Sequence, residues 1–149
     1  PQHPDVLPTE ETMPFGEDET KPEDVNTSFI WPTSGGRATT YDGHTGRGVD
    51  IALGGGGHPI YAVADGTVTQ GVDGYTGYGH YIMIDHGNGF VTLYAHNIGN
   101  LVKIGDSVEQ GQLIAYMGRT GWATGNALHF EVRYNGRYMD PVDYIGNGG

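Results

Sequence analysis

The sequence of 149 residues contains no cysteine, few basic residues and no long apolar run. Without cysteine, disulfides, thiolate nucleophiles and cysteine zinc sites are excluded, so any catalytic or metal chemistry depends on histidine and carboxylates. Seven Lys and Arg against 18 Asp and Glu give a net charge of −11, which argues against binding nucleic acid through its phosphates. No segment reaches the roughly 20 apolar residues of a membrane helix, so we expect no membrane insertion.

Glycine and tyrosine are abundant instead, with 27 and ten residues respectively. From residue 29 onward, short runs of β-branched and aromatic residues alternate with Gly, Asn and Asp, and no long segment has the helical period of 3.6 residues. The sequence therefore predicts one all-β domain over residues 29–149, built from antiparallel sheets packed as a sandwich or an open barrel.

Residues 1–28 differ in composition from the rest of the chain. They contain eight acidic residues against Lys21 alone, a charge of −7, together with five prolines and few core-forming side chains. Such a segment cannot bury enough apolar surface to offset the entropy lost on ordering. We expect an extended acidic linker or tail here, with an acidic docking arm as the alternative.

Turn dipeptides and loops between short β-type runs predict three hairpins. They join residues 59–64 to 67–70 across Asp65-Gly66, residues 80–85 to 90–96, and residues 129–134 to 137–139 across Asn135-Gly136. In the second hairpin, Phe90, Thr92, Tyr94 and His96 share one face by the period of two.

Histidines and one aspartate stand where these strands could bring them together. His129 begins a strand in which Glu131 and Arg133 share its face, and His96 ends a neighbouring strand. His44 and Asp50 bracket a glycine-rich turn. Two imidazoles and one carboxylate suit a catalytic zinc ion, which keeps a fourth position for water. The spacing alone favours a structural or surface role for any one of these histidines over a metal site.

Longer motifs distinguish a zinc site from a structural or surface role for these histidines. Between Phe29 and Tyr144 they occur in the order Trp31-Pro32, His44-Thr45-Gly46, Gly48-Val49-Asp50, Pro59-Ile60-Tyr61, Tyr94-Ala95-His96 and Leu128-His129-Phe130-Glu131. This order resembles the lysostaphin-like (LytM-type) zinc endopeptidases, which cut peptides in bacterial peptidoglycan. The resemblance implies a duplicated hybrid motif of β-strands that forms a groove with zinc at its floor.

The resemblance also implies roles for individual residues. His44, Asp50 and His129 would bind Zn²⁺, and His96 together with a histidine at position 127 would position the attacking water and accept its proton. Tyr78, His80 and Trp122, in glycine-rich segments, are candidate groove walls that contact the substrate peptide. Aromatic packing beneath the loops is the alternative for these three.

Two departures from the family pattern affect residues that would bind zinc or accept a proton. Asp50 follows His44 by six residues instead of four, so an ungapped alignment places Gly46 at the ligand position, whereas a two-residue insertion retains His44. The second motif reads Ala127-Leu128-His129 in place of His-x-His, which removes one imidazole. Either the chain is a natural pseudo-peptidase, or a catalytic histidine was replaced deliberately.

We therefore expect a zinc endopeptidase that acts on peptidoglycan stems or cross-bridges and is inactive or weakened by Ala127. The alternative is a non-catalytic pseudo-peptidase that binds peptidoglycan or docks another protein. A biotinyl or lipoyl carrier is disfavoured, because neither Lys21 nor Lys103 lies at the required hairpin tip. We expect a monomer or one domain of a larger protein, in an extracellular, wall-associated or phage-virion-associated setting.

Overall fold

The computed structural model describes residues 28–39, 47–74, 76–121, 123, 125–146 and 148. Within these residues it contains ten strands and one short helix. In chain order they are β1 (Arg37–Ala38), β2 (Val49–Ala52), β3 (Pro59–Tyr61), β4 (Gly66–Val72), β5 (His80–Asp85), β6 (Phe90–Asn100), β7 (Ser107–Val108), β8 (Leu113–Met117), β9 (Leu128–Tyr134), β10 (Arg137–Met139) and α1 (Val142–Ile145). The predicted all-β, antiparallel fold is confirmed. Apart from Ser28, the predicted tail over residues 1–28 lies outside the described residues.

The strands form one antiparallel sheet in the order β1-β2-β9-β6-β5-β4-β7. β6 pairs with β9 along its first half and with β8 along its second half, and β3 pairs with β8. β9 carries β2 along its first residues and β10 along its last residues. β9 is therefore hydrogen-bonded along both of its edges and is a central strand of the sheet.

Alternation along β6 and β9 separates two packed layers. The main core contains Phe90 and Tyr94 from β6 with Leu128, Phe130 and Val132 from β9, all fully buried. The opposite face carries a smaller apolar cluster made of Tyr78, Tyr81, Leu93 and Ala95. Burial of side chains on both sides of β9 explains why six of its seven residues are buried.

Two of the three predicted hairpins are confirmed. β5 pairs with β6 in a register that places Ile82 opposite Tyr94 and Ile84 opposite Thr92. β9 pairs with β10 across Asn135 and Gly136, whose φ angles of 50° and 86° fit the type I′ turn predicted for this dipeptide.

The predicted hairpin between residues 59–64 and 67–70 is wrong. β3 pairs with β8, whereas β4 pairs with β5 and β7. Gly66 does not have a positive φ, so Asp65-Gly66 is not a type I′ turn. A Cβ at residue 66 would lie 2.5 Å from Ile84 Cγ2 and 2.6 Å from the Asp85 carbonyl oxygen. Glycine is therefore needed here because β4 lies close to β5.

Among the described residues, no helix has the length and apolar character needed to cross a membrane.

Candidate functional site

Two strands bring Asp50 and His129 together. β2 and β9 are antiparallel, and Asp50 lies directly opposite His129 in their register. His129 Nδ1–H donates a hydrogen bond of 3.0 Å to Asp50 Oδ1. The side chain of Asp50 is 56% exposed and that of His129 is 6% exposed, so the pair spans the boundary between solvent and the interior. These two predicted zinc ligands therefore meet at one point.

Gly48 allows this approach of β2 to β9. A Cβ at residue 48 would overlap the carbonyl oxygen of Phe130 and lie 2.9 Å from Glu131 Cγ. Real Cβ atoms essentially never approach backbone this closely, so any side chain here would push β2 away from β9. Gly48 thus positions Asp50, two residues later in the chain.

His96 reaches the same site through an unusual backbone conformation. The predicted alternation places His96 on the same face as Phe90, Thr92 and Tyr94, and this placement is wrong. His96 has a φ of 68°, and its ring centroid lies 6.0 Å from that of His129 on the opposite face. Its Nδ1–H donates a 2.7 Å hydrogen bond to the Thr120 carbonyl oxygen. Left-handed backbone at a non-glycine residue is costly and is concentrated at functional sites.

Glu131 lies beneath His129 and is fully buried. Its Oε2 accepts hydrogen bonds from His129 Nε2–H at 2.9 Å and from the Tyr78 hydroxyl at 2.6 Å. Its Oε1 accepts hydrogen bonds from Arg133 Nη2 at 2.8 Å and Nε at 3.2 Å. We refer to Tyr78, His129, Glu131 and Arg133 as the buried cluster.

The electrostatics of the buried cluster favour charged side chains. Burial alone would lower the pKa of His129, but hydrogen bonds to Asp50 and Glu131 raise it to about 9. Burial would raise the pKa of Glu131, but the hydrogen bond from His129 and the charge of Arg133 lower it to about 2. Burial and the neighbouring positive charge of His129 lower the pKa of His96. At neutral pH, His129 is therefore an imidazolium between two carboxylates, and His96 is neutral.

The predicted groove walls differ in their surroundings. Tyr78 is buried, stacks on the His129 ring with centroids 5.8 Å apart, and belongs to the buried cluster. His80 begins β5, and its Nδ1 accepts a 3.0 Å hydrogen bond from the Gly74 amide. Trp122 lies outside the described residues. Contact of any of these three with a peptide stays a prediction.

Ala127 lies immediately before β9, with its amide donating a 3.2 Å hydrogen bond to the Gly118 carbonyl oxygen. It lies two positions before His129, so the side chains at 127 and 129 share one face of the strand. Alanine has no group that can accept or donate a proton at this position.

The described residues do not by themselves fit a catalytic zinc ion. Such an ion takes three protein ligands, and Asp50 and His129 are two. The third predicted ligand, His44, lies outside the described residues. Within the part of the chain that the structure describes, no group of three or more His, Asp or Glu side chains is arranged to hold a metal.

Sequence reasoning placed Glu131 and Arg133 on the same face as His129 but assigned them no role. A strand whose alternate residues are charged on one face and fully apolar on the other normally exposes its charged face. The missing information was that Tyr78 covers that face. Only the nonlocal contact between residues 78 and 131 identifies the buried cluster.

Comparison with known proteins supplies the family. The model of peptidase family M23 matches residues 44–141, well over half of the chain. The murein hydrolase activator NlpD of Escherichia coli is 40% identical over 120 residues, covering 79% of this chain and 31% of the relative. Outer membrane antigenic lipoprotein B of Histophilus somni is 39% identical over 139 residues, covering 92% of this chain and 40% of the relative. The chain thus spans less than half the length of these curated relatives.

Solved structures agree with this assignment. A structure of a peptidase of family M23 from Pseudomonas aeruginosa has a TM-score of 0.73 and 33% identity, covering 81% of this chain and 51% of the other. A zinc-containing peptidase from Vibrio cholerae has a TM-score of 0.58 and 36% identity, covering 76% and 36%. The catalytic domain of lysostaphin from Staphylococcus simulans has a TM-score of 0.63 and 28% identity, covering 75% and 91%. The fold, the matched residues and these relatives together establish that the chain belongs to peptidase family M23.

Proposed function

We propose that this chain is a non-catalytic M23 domain that binds and activates a murein hydrolase in the bacterial cell envelope. The surface that binds the hydrolase is the face around Asp50 and His96, above the buried cluster. On this proposal the domain retains the peptidase groove as a binding surface for protein, and the partner enzyme hydrolyses the murein.

The state of His129 carries the proposal. Both of its ring nitrogens donate hydrogen bonds to carboxylates, at 3.0 Å to Asp50 and 2.9 Å to Glu131. With both nitrogens donating, the ring offers no lone pair in this arrangement, so a metal could bind it only by displacing the proton shared with Asp50. Ala127 adds a second loss, because no side chain there can act as a general base.

Similarity to named relatives supports the choice of partner. The E. coli relative is called a murein hydrolase activator, and the matched segment includes 79% of this chain. Another relative is called an outer membrane antigenic lipoprotein. A cell-envelope location and a murein hydrolase as partner are the corresponding proposals for this chain.

The test uses the murein hydrolase that the E. coli relative activates, together with purified sacculi. We expect the chain to increase the release of soluble murein by the hydrolase and to release none alone, with or without added ZnCl₂. Asp50→Lys should weaken hydrolase binding at least tenfold by calorimetry, because it reverses a charge on the proposed surface. Asp143→Lys is the matched control, since Asp143 is also exposed but lies in α1.

Release of murein by the chain alone would contradict the proposal. So would equal hydrolase binding by Asp50→Lys and Asp143→Lys, because the binding surface would then lie elsewhere.

A weakened zinc endopeptidase is the second candidate, and one contact favours it. Asp50 Oδ1 and His129 Nδ1 lie 3.0 Å apart, beside the His96 ring, so two ligands and one candidate base are already together. His44 would have to complete the site, and Zn²⁺ would supply a polarised water. Stems or cross-bridges of peptidoglycan would be the substrate.

Ala127→His separates the two candidates. If the endopeptidase is correct, this substitution should raise cleavage of purified peptidoglycan by about 10² or more, the usual contribution of a general base. His96→Ala and chelation should each abolish the gain. If the activator is correct, Ala127→His leaves the chain without murein hydrolysis, and metal analysis of the purified protein finds less than one zinc per chain.

A further inference from the structure

A buried carboxylate needs a structural or functional reason. Glu131 is fully buried in the middle of β9, where an apolar residue would avoid the cost of removing a charge from water. Replacement of buried ion pairs by apolar residues is often neutral or stabilising, so stability alone does not account for a glutamate here. The contacts of Glu131 indicate what it does.

All the partners of Glu131 belong to elements that frame the site. His129 and Arg133 lie two residues before and after it on β9, and Tyr78 comes from the segment between β4 and β5. The two carboxylate oxygens accept four hydrogen bonds in total from these three side chains. The carboxylate therefore links β9 to the segment between β4 and β5 that contains Tyr78.

Tyr78 also connects Glu131 to His96, through a backbone hydrogen bond. The Tyr78 carbonyl oxygen accepts a 2.8 Å hydrogen bond from the His96 amide. Movement of Tyr78 would therefore disturb His96, whose φ is 68°. Through Tyr78, Glu131 restrains both histidines of the site, His129 directly and His96 through the backbone.

The orientation of a metal-bound histidine is normally fixed by the metal on one nitrogen and by a hydrogen bond on the other. In this chain carboxylates meet both nitrogens of His129. We propose that Glu131 is a positioning residue that fixes the His129 ring and the Tyr78 wall, so that the groove keeps its shape without a metal. This inference rests on the proposed function, in which the groove binds protein rather than performing hydrolysis.

The first test observes the ring of His129 by nuclear magnetic resonance in the presence of EDTA. We expect the Nε2–H proton to exchange with water at least tenfold more slowly than in Glu131→Gln, because the amide is a weaker acceptor than the carboxylate. Glu109→Gln is the matched control, since Glu109 is exposed, and it should leave this proton unchanged.

The second test covers the case in which Glu131→Gln fails to fold. Tyr78→Phe removes only the hydroxyl that bonds to Glu131. Hydrogen exchange at the His96 amide reports on the position of Tyr78, because that amide donates to the Tyr78 carbonyl oxygen. We expect at least a tenfold faster exchange at His96 in Tyr78→Phe and no change in Tyr116→Phe, where the tyrosine is 37% exposed.

Two results would overturn the inference. One is a His129 ring proton that is protected only after zinc is added. The other is exchange at His96 that is the same in the wild-type chain and in Tyr78→Phe. Since neither measurement includes a hydrolase, failure of the chain to activate one would refute the proposed function and leave these readouts unaffected.

Discussion

The charged state of His129 predicts how the stability of the domain depends on pH. The pKa of His129 is about 9 in the folded chain against an ordinary value of 6.5. A group whose pKa is raised by folding contributes stability that is complete below 6.5 and is lost as the pH rises through 9. At about 1.4 kcal/mol per pH unit, the full contribution is about 3 kcal/mol.

Glu131 limits the same contribution at low pH. Its pKa is about 2 in the folded chain against an ordinary value of 4.5. A group whose pKa is lowered by folding contributes stability that is present above 4.5 and is lost as the pH falls through 2. The buried cluster should therefore contribute most between about pH 4.5 and 6.5.

The substitution His129→Gln isolates this contribution. We expect the difference in unfolding free energy between the wild-type chain and His129→Gln to be larger at pH 6 than at pH 9.5 by about 3 kcal/mol. At pH 7.5 about 2 kcal/mol of the contribution should remain. The measurement is urea denaturation followed by fluorescence, with EDTA present at each pH.

His58→Gln is the control for the loss of an imidazole outside the buried cluster, since the His58 ring bonds to the Gly54 carbonyl oxygen. The contribution of His129 is the decline in His129→Gln beyond any decline in His58→Gln, expected to be about 3 kcal/mol. A difference for His129→Gln that is equal at pH 6 and pH 9.5 would refute the assignment of His129 as an imidazolium held by two carboxylates.

Three further predictions concern the scaffold and are measured by urea denaturation at pH 7. Gly48→Ala should destabilise the chain by about 1–3 kcal/mol because its Cβ would meet the Phe130 carbonyl, whereas Gly99→Ala, with open space at its Cβ, should cost less than about 1 kcal/mol. Phe130→Ala should cost about 3–5 kcal/mol, since the ring is fully buried against Tyr94. Gly136→Ala should cost about 1–2 kcal/mol because φ is 86° there, and a loss near zero would contradict the type I′ turn.

The parts of the fold that could be predicted from sequence are those fixed by neighbouring residues. The Asn135-Gly136 turn determines the β9–β10 hairpin locally, and the short glycine-containing loop over residues 86–89 determines the β5–β6 hairpin. The pairing of β3 with β8 could not be predicted, because about 50 residues separate the strands and Asp65-Gly66 imitates a hairpin turn.

The candidate site was predicted to a similar extent. The meeting of Asp50 with His129 followed from the family motifs, because those motifs record which strands are adjacent. The face on which His96 lies was predicted wrongly, since a φ of 68° interrupts the alternation of β6. The role of Glu131 required the contact with Tyr78, which no local pattern encodes.

The contacts of residue 127 show that the side chain at this position is not needed for the shape of the site. The backbone there is held by the hydrogen bond to Gly118, and the next residue, Leu128, is fully buried opposite Ile51. Neither restraint involves the side chain at 127, which is only partly buried. The shape of the site depends instead on Gly48, Phe130 and Glu131, whose contacts are independent of residue 127. An alanine at residue 127 therefore leaves the contacts that shape the site intact, as the proposed protein-binding role requires.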